Sequence, residues 1–401
     1  LLTRFGLKYS IIPQLSAELS YQGEPQIIKI RNYQSQHAYS TRDLINKYSV
    51  YNSSTKSFTY NFPLGGILNM NEYDWRSNNL RGQLNYDESF SKHNITAIIG
   101  SEMRELKTLG SGQTMYGYDD QFGTSVSNLN FQLSYPTNPN GSAILPGNGN
   151  SVTGITNRYI SYYANASYSY EDKYTVNVSG RRDGANLFGA RTNDRVTPLW
   201  SAGLGWNISK ENFYKSAVLP YVNLRATYGY NGNVFQNGSA FLTGRYFTSP
   251  ITGGQYIANL TAPNPDLRWE RVKNVNLGLD FGFIKNIIKG SVEYYMKDGK
   301  DLIQPTALAP QTGFVTYTAN TASTRTKGWD ITLTSSNLNS QVKWSSTLLF
   351  SAIHDRVIKY DAPITSATIS NFGGVVGKPL FALFAYKWAG LNAQTGAPIG
   401  Y

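Results

Sequence analysis

The chain contains no cysteine among its 401 residues. That removes disulfide frameworks, thiolate metal sites and cysteine nucleophiles together. Charge is scarce: Asp, Glu, Lys and Arg make up 15%, well under the ~25% usual for soluble domains. No uninterrupted apolar run approaches the ~18 residues that a spanning helix requires, and the mean hydropathy is −0.36. A helical membrane protein is thereby excluded, but a β-barrel is not, because only alternate residues of its strands meet lipid. Only three histidines occur, His37, His93 and His354; they lie far apart in sequence, and no metal site is expected from them. There is no Gly-x-Ser-x-Gly elbow or other indicated nucleophile set, so no catalytic residue, no enzyme activity and no cofactor are expected. An initiator Met and a signal peptide are missing from Leu1-Leu2-Thr3-Arg4, and the last residues are loop-like. The expectation is an internal fragment of an exported protein.

What the chain has in quantity is aromatic residues, 14% with 30 Tyr and 7 Trp, and strict alternation. Ile160, Tyr162, Ala164, Ala166, Tyr168 and Tyr170 oppose Ser161, Tyr163, Asn165, Ser167 and Ser169. After Glu171-Asp172-Lys173, the residues Tyr174, Val176 and Val178 oppose Thr175, Asn177 and Ser179. Period-two alternation places two environments on the two sides of a strand. The same sorting recurs over 15–22, 80–87, 200–208, 222–230, 274–283 and 290–297. Soluble sandwiches also alternate, but they face solvent with Lys and Glu. Here the polar parity is largely Ser, Asn, Thr and Gly, which suits a hydrated lumen; Arg225 also lies at that parity. The fold class expected is all-β, a transmembrane antiparallel β-barrel set in outer-membrane lipid, with aromatic rings at both interfaces.

Connections sort by length. The short ones are 89–92, 171–173, 285–287 and 335–340, with a medium one at 209–221. The long ones are roughly 108–157, 182–197, 231–268, 300–327 and 355–379, alternating with the short. Short turns belong to the periplasmic side and long loops to the outside. The formal charge of +11 is scattered, not gathered on one face, so no nucleic-acid partner is expected.

Several motifs then carry a resemblance. Tyr168-Ser-Tyr-Glu-Asp-Lys-Tyr174, Ser179-Gly-Arg-Arg-Asp-Gly184, Leu187-Phe-Gly189, Trp200-Ser-Ala-Gly-Leu-Gly-Trp206, Ser209-Lys-Glu-Asn-Phe213 and Leu224-Arg-Ala-Thr-Tyr-Gly229 stand in order. They are followed by Asn264-Pro-Asp-Leu-Arg-Trp-Glu270, Thr326-Lys-Gly-Trp-Asp330, Gly377-Lys-Pro-Leu-Phe381 and the stretch from Tyr386 to Pro398. From about Tyr159 onward the chain resembles the SusC/RagA-type TonB-dependent transporters of Bacteroidetes outer membranes. The resemblance implies a barrel of apparently 22 strands with an N-terminal plug, energised through TonB and paired with a SusD-like surface lipoprotein. It further implies import of oligosaccharides or peptides. Residues 1–401 would then be a partial barrel of middle to late strands, roughly 13 to 16 of them at about ten residues per strand plus loops. The plug, the TonB-contacting segment and the final strands would lie outside it. A passive porin or surface adhesin shares the same strand grammar and is the alternative; a barrel enzyme is a more remote one.

Aromatic faces stack on sugars and pack against apolar peptide side chains. The substrate-contact candidates are therefore the aromatics placed in the two longest loops: Tyr116, Tyr118, Phe122, Phe241, Tyr246, Phe247 and Tyr256. Asp119-Asp120 is expected to be a solvated loop tip, with a calcium site as the competing reading. Arg182 and Asp183 are expected to form a charge-paired turn at a loop base.

Overall fold

A computed structural model describes residues 2–186, 196–233, 239–249, 252–283, 287–362, 373–385 and 387–400. Twelve strands form one antiparallel meander in chain order. They are β1 (Thr3–Ile12), β2 (Leu15–Gln34), β3 (Gly66–Phe90), β4 (His93–Tyr118), β5 (Ser151–Tyr170) and β6 (Tyr174–Ala185). Then follow β7 (Val196–Asn207), β8 (Tyr221–Asn233), β9 (Glu270–Phe283), β10 (Ile288–Ala307), β11 (Thr316–Asn339) and β12 (Lys343–Lys359).

The registers confirm the parity reading. Tyr168 stands opposite Val176, Val176 opposite Leu204, Leu204 opposite Ala226, Ala226 opposite Leu277, and Leu277 opposite Tyr294. Along this row an apolar residue of one strand meets an apolar residue of the next. This face is open to the surroundings: Leu7 is 69% exposed and Leu204 63%. So continuous an exposed apolar surface is incompatible with water and is what lipid covers. A recess on the sheet between Val176, Leu204, Trp206, Leu224, Leu277 and Tyr294 belongs to this face and is a lipid groove. Aromatic pairs such as Trp200 with Tyr228 and Tyr294 with Trp329 pack in tilted contact along it.

The short turns fall at one end. The turn expected at 171–173 is as expected, with Glu171 and Asp172 in the left-handed region (φ 51° and 50°) and Lys173 N–H donating to Tyr170 O at 2.9 Å. The turn after β3 shrinks to Ser91-Lys92 and that after β11 to 340–342. Of the expected turn 285–287, residues 285 and 286 lie outside the described residues. Charges tie neighbouring turns together. Glu171 pairs with Lys92 and, at 2.7 Å, with Lys173, while Lys210 reaches Asp172 at 3.0 Å. Glu211 accepts from Tyr174 Oη and from Trp206 Nε1. The hydrogen bonds from Lys173 and Lys92 hold the Glu171 carboxyl down at about 2. These are the residues of the Tyr-Glu-Asp-Lys-Tyr and Ser-Lys-Glu-Asn-Phe motifs, so those motifs are turn-fastening devices.

At the other end the strands outrun the expected boundaries. β3 has 25 residues, β4 26 and β11 24, whereas crossing a bilayer takes about 9–11. The expected loops 108–157 and 300–327 contract to 119–150 and 308–315. Among the described residues the main sheet has twelve strands, of which β3, β4 and β11 run well past the lipid. Beyond the lipid both faces of a strand meet water, so alternation fades while the backbone ladder continues. The long connection 35–65 carries α1 (Tyr39–Lys47) and a hairpin of Ser49–Asn52 with Ser57–Tyr60. Pattern alone gave no sign of it.

Candidate functional site

The outer end holds two packed substructures around the polar mouth of the sheet. The first is a cap. Ile45, Tyr48, Phe62, Ile67, Tyr116 and Leu145 form a buried cluster, with Leu129, Phe131 and Tyr135 against it. A nine-residue helix such as α1 is marginal alone in water; its Ile45 and the following Tyr48 are held by this core. Phe62 is fully buried, 5.1 Å from the Tyr116 ring edge-on and 6.2 Å from that of Tyr48. Tyr48 Oη donates to Ile144 O at 2.6 Å and Tyr116 Oη to Gly147 O at 2.9 Å. Asn138 Nδ2 donates to Asn46 O and Ser49 O, strapping 119–150 onto the helix.

Two of the expected substrate aromatics are therefore not on a loop. β4 extends through Tyr118, and Tyr116 is 6% exposed inside the cap core. Tyr118 lies edge-on to Tyr33 at 5.8 Å with the Arg31 guanidinium 5.8 Å from its ring. Phe122 is at the tip, 72% exposed. Asp119 Oδ1 accepts from Gln121 N and Phe122 N, and Asp120 pairs with Arg31. Both carboxylates fasten the loop.

The second substructure follows β8. Thr243–Thr248 pairs with Gln255–Thr261, and this hairpin presents Tyr246 and Tyr256 outward, with Phe247 and Tyr256 5.8 Å apart. Phe241, just before it, is also exposed. The Asn264–Glu270 motif then docks. Asn264 Nδ2 donates to Thr318 O, Asn320 Nδ2 to Arg268 O, and Ile303 N to Glu270 Oε1. Arg268 and Arg271 converge on Asp301, which sits at a bulge with φ 56°. Leu267 is fully buried and Trp269 8% exposed, packed against Ala185 and Ile303.

Beneath these lies the polar face of the sheet, a ladder of cross-strand bonds. Arg81 donates twice to Glu102 Oε2 (3.0 and 2.6 Å), and Asn79 Nδ2 donates to Glu102 Oε1. Arg225 spans two strands, donating to both oxygens of Asp280 (2.8 and 2.9 Å) and to Glu293 at 2.8 Å. Its route crosses Gly278, where a Cβ would stand 3.2 Å from the guanidinium carbon. Tyr163 likewise lies over Gly100 to donate to Gln83 Oε1 at 2.8 Å. Glycine on one strand thus makes room for a long side chain on its neighbour.

The expected Arg182–Asp183 turn is corrected. β6 runs on to Ala185, and in a strand Arg182 and Asp183 point to opposite faces. Arg181 is the partner: Nε donates to Asp183 Oδ1 at 2.7 Å and Nη2 to Ser161 Oγ at 2.8 Å. Leu187-Phe-Gly189 and Tyr386, both expected motif residues, lie outside the described residues. Missed by sequence reasoning was Trp269. Its only signal was an aromatic ring set between Arg268 and Glu270.

Residues 3–389 match the family described as TonB dependent receptor-like, beta-barrel. TonB-dependent receptor P39 of Formosa agariphila is 29% identical over 72% of this chain and 26% of its own length. TonB-dependent receptor SusC of Bacteroides thetaiotaomicron is 31% identical over 39% of this chain and 16% of its own. The chain spans about a quarter of the length of the first of these. Among solved structures, the RagAB peptide transporter superposes over 100% of this chain and 41% of its own, with a TM-score of 0.72 at 20% identity. The siderophore receptor PiuA of Acinetobacter baumannii covers 93% of the chain at a TM-score of 0.53 and 12% identity.

Proposed function

This chain belongs to the TonB-dependent receptor β-barrel family of the outer membrane, and from that premise we propose that it builds part of the wall and outer mouth of an active nutrient importer. The cargo is an oligosaccharide or a peptide, TonB supplies the energy, and a SusD-like surface lipoprotein closes the mouth. The relatives named SusC and RagAB support this reading. The observation that carries it is the asymmetry of the two ends. One end is closed by charge-fastened turns; the other carries a cap with its own buried core and a docked hairpin. A passive pore does not require folded recognition elements at its mouth. Phe122, Phe241, Tyr246, Phe247 and Tyr256 remain the proposed cargo contacts, whereas the burial of Tyr116 makes it a support.

Uptake of labelled oligosaccharides and oligopeptides by cells carrying the full-length gene tests the proposal. The expected result is accumulation that stops when the proton gradient is dissipated or the TonB gene is deleted. Accumulation unaffected by either treatment would identify a passive pore instead. Removal of 241–258 is expected to weaken cargo binding; unchanged binding would discard this hairpin as a recognition element.

A further inference from the structure

A small recess of about 200 Å³ opens on the polar face below Trp269. Its floor is already satisfied internally. Glu102 is bound by Arg81 and Asn79, and Asp183 by Arg181, which also donates to Ser161. Asp183 and Ser161 are 6% and 3% exposed, so this floor is rigid and prearranged. Two donors on the same wall hold no carboxylate. Arg104 and Tyr159 are directly paired across β4 and β5. Arg104 is exposed and makes one long hydrogen bond, Nε to Ser77 Oγ at 3.3 Å. Among the described residues neither a carboxylate partner for Arg104 nor a partner for the Tyr159 hydroxyl is found. Elsewhere on this face Arg81, Arg181 and Arg225 each hold a carboxylate.

We propose that this recess is a subsite for an anionic sugar residue of the imported cargo, its carboxylate on Arg104 and Tyr159 and its hydroxyls over the polar floor. The proposal rests on the import reading above and specifies its substrate class. A guanidinium beside a hydroxyl donor matches a carboxylate or sulfate. Carboxylates accept up to about four hydrogen bonds each, so Glu102 and Asp183 can still receive sugar hydroxyls. An apolar peptide side chain would leave that polar floor unused, which is why a glycan is favoured over a peptide.

The test is calorimetric titration of the full-length protein in detergent with a tetragalacturonate, a neutral galactotetraose and a tetrapeptide with a free C-terminus. The acidic glycan is expected to bind about tenfold or more tighter than the neutral one, and Arg104→Gln or Tyr159→Phe to erase most of that preference while leaving neutral binding unchanged. Arg104 is exposed, so its replacement is expected to leave folding intact, checked by heat-modifiable gel mobility. Equal affinity for both glycans, an acidic preference that survives Arg104→Gln, or tightest binding of the tetrapeptide would each overturn the subsite. A sulfated tetrasaccharide bound as tightly as the uronate, and as sensitive to Arg104→Gln, supports the anion site and broadens its source. Uptake in cells separates the two readings. Import of neutral cargo without an acidic preference overturns the subsite alone, whereas acidic binding without any gradient-driven uptake overturns the importer alone.

Discussion

Phe62→Ala is the sharpest probe of whether the outer cap is a folded unit standing on the sheet. The Phe62 ring is 0% exposed and touches Tyr48 and Tyr116, which are themselves buried. Truncating a fully buried Phe costs about 3–5 kcal/mol, part lost transfer energy and part residual cavity. The Tyr48 and Tyr116 hydroxyls are anchored to loop carbonyls, which limits collapse around the void and favours the upper half of that range. At 1.4 kcal/mol per tenfold, the opening equilibrium of the cap should rise roughly a hundred- to several-thousand-fold. Proteolysis of an opened segment tracks that equilibrium when reclosing is fast. Limited proteolysis of whole cells should therefore cut within 35–62 and 119–150 far faster in the variant. The sheet has its own backbone ladder through β2, β3 and β4, so heat-modifiable mobility should stay at the wild-type temperature. Tyr51→Ala is the control, because Tyr51 is 54% exposed and its loss should change stability by no more than about 0.5 kcal/mol. If Phe62→Ala leaves cleavage unchanged, or melts cap and barrel together, the cap is not a separate cooperative unit.

Three further outcomes are expected. Gly278→Val places side-chain atoms where the Arg225 guanidinium passes and should lower the barrel's unfolding midpoint by an amount matching about 1–3 kcal/mol; in an Arg225→Ala background the same substitution should be nearly silent. Leu277→Arg should cost about 2–4 kcal/mol or block insertion, since Leu277 faces lipid, whereas Asn276→Arg beside Glu293 should be tolerated; equal effects would refute the assignment of faces. For Glu171, whose folded carboxyl titrates at about 2 against 4.5 ordinarily, the turn's contribution should be complete above about pH 4.5 and disappear as pH falls through 2. The melting temperature of Glu171→Gln should therefore converge with wild type at the acid end and fall below it at neutral pH, as a thermal series would record.

By itself the sequence determined whatever depends on near neighbours along the chain. Period-two alternation assigned faces to Ile160–Tyr170 and Trp200–Ile208 because successive side chains of any strand point to opposite sides. The same rule should have separated Arg181 from Arg182. The tight turn at 171–173 was equally legible, since three polar residues between two alternating runs leave the chain no other course. Beyond the lipid that signal fails, because both faces of β3 and β4 are wet and only pairing with a distant strand continues them. What the tertiary structure alone decided is the content of the mouth. Tyr116 became core instead of contact because α1 and 119–150 fold over it. Trp269 became a wall of the polar recess because the connection after β8 docks on β10 and β11. Arg104 was left without a carboxylate partner because sheet register placed Tyr159 across from it. Those juxtapositions join residues tens to more than a hundred positions apart, and no local pattern encodes them.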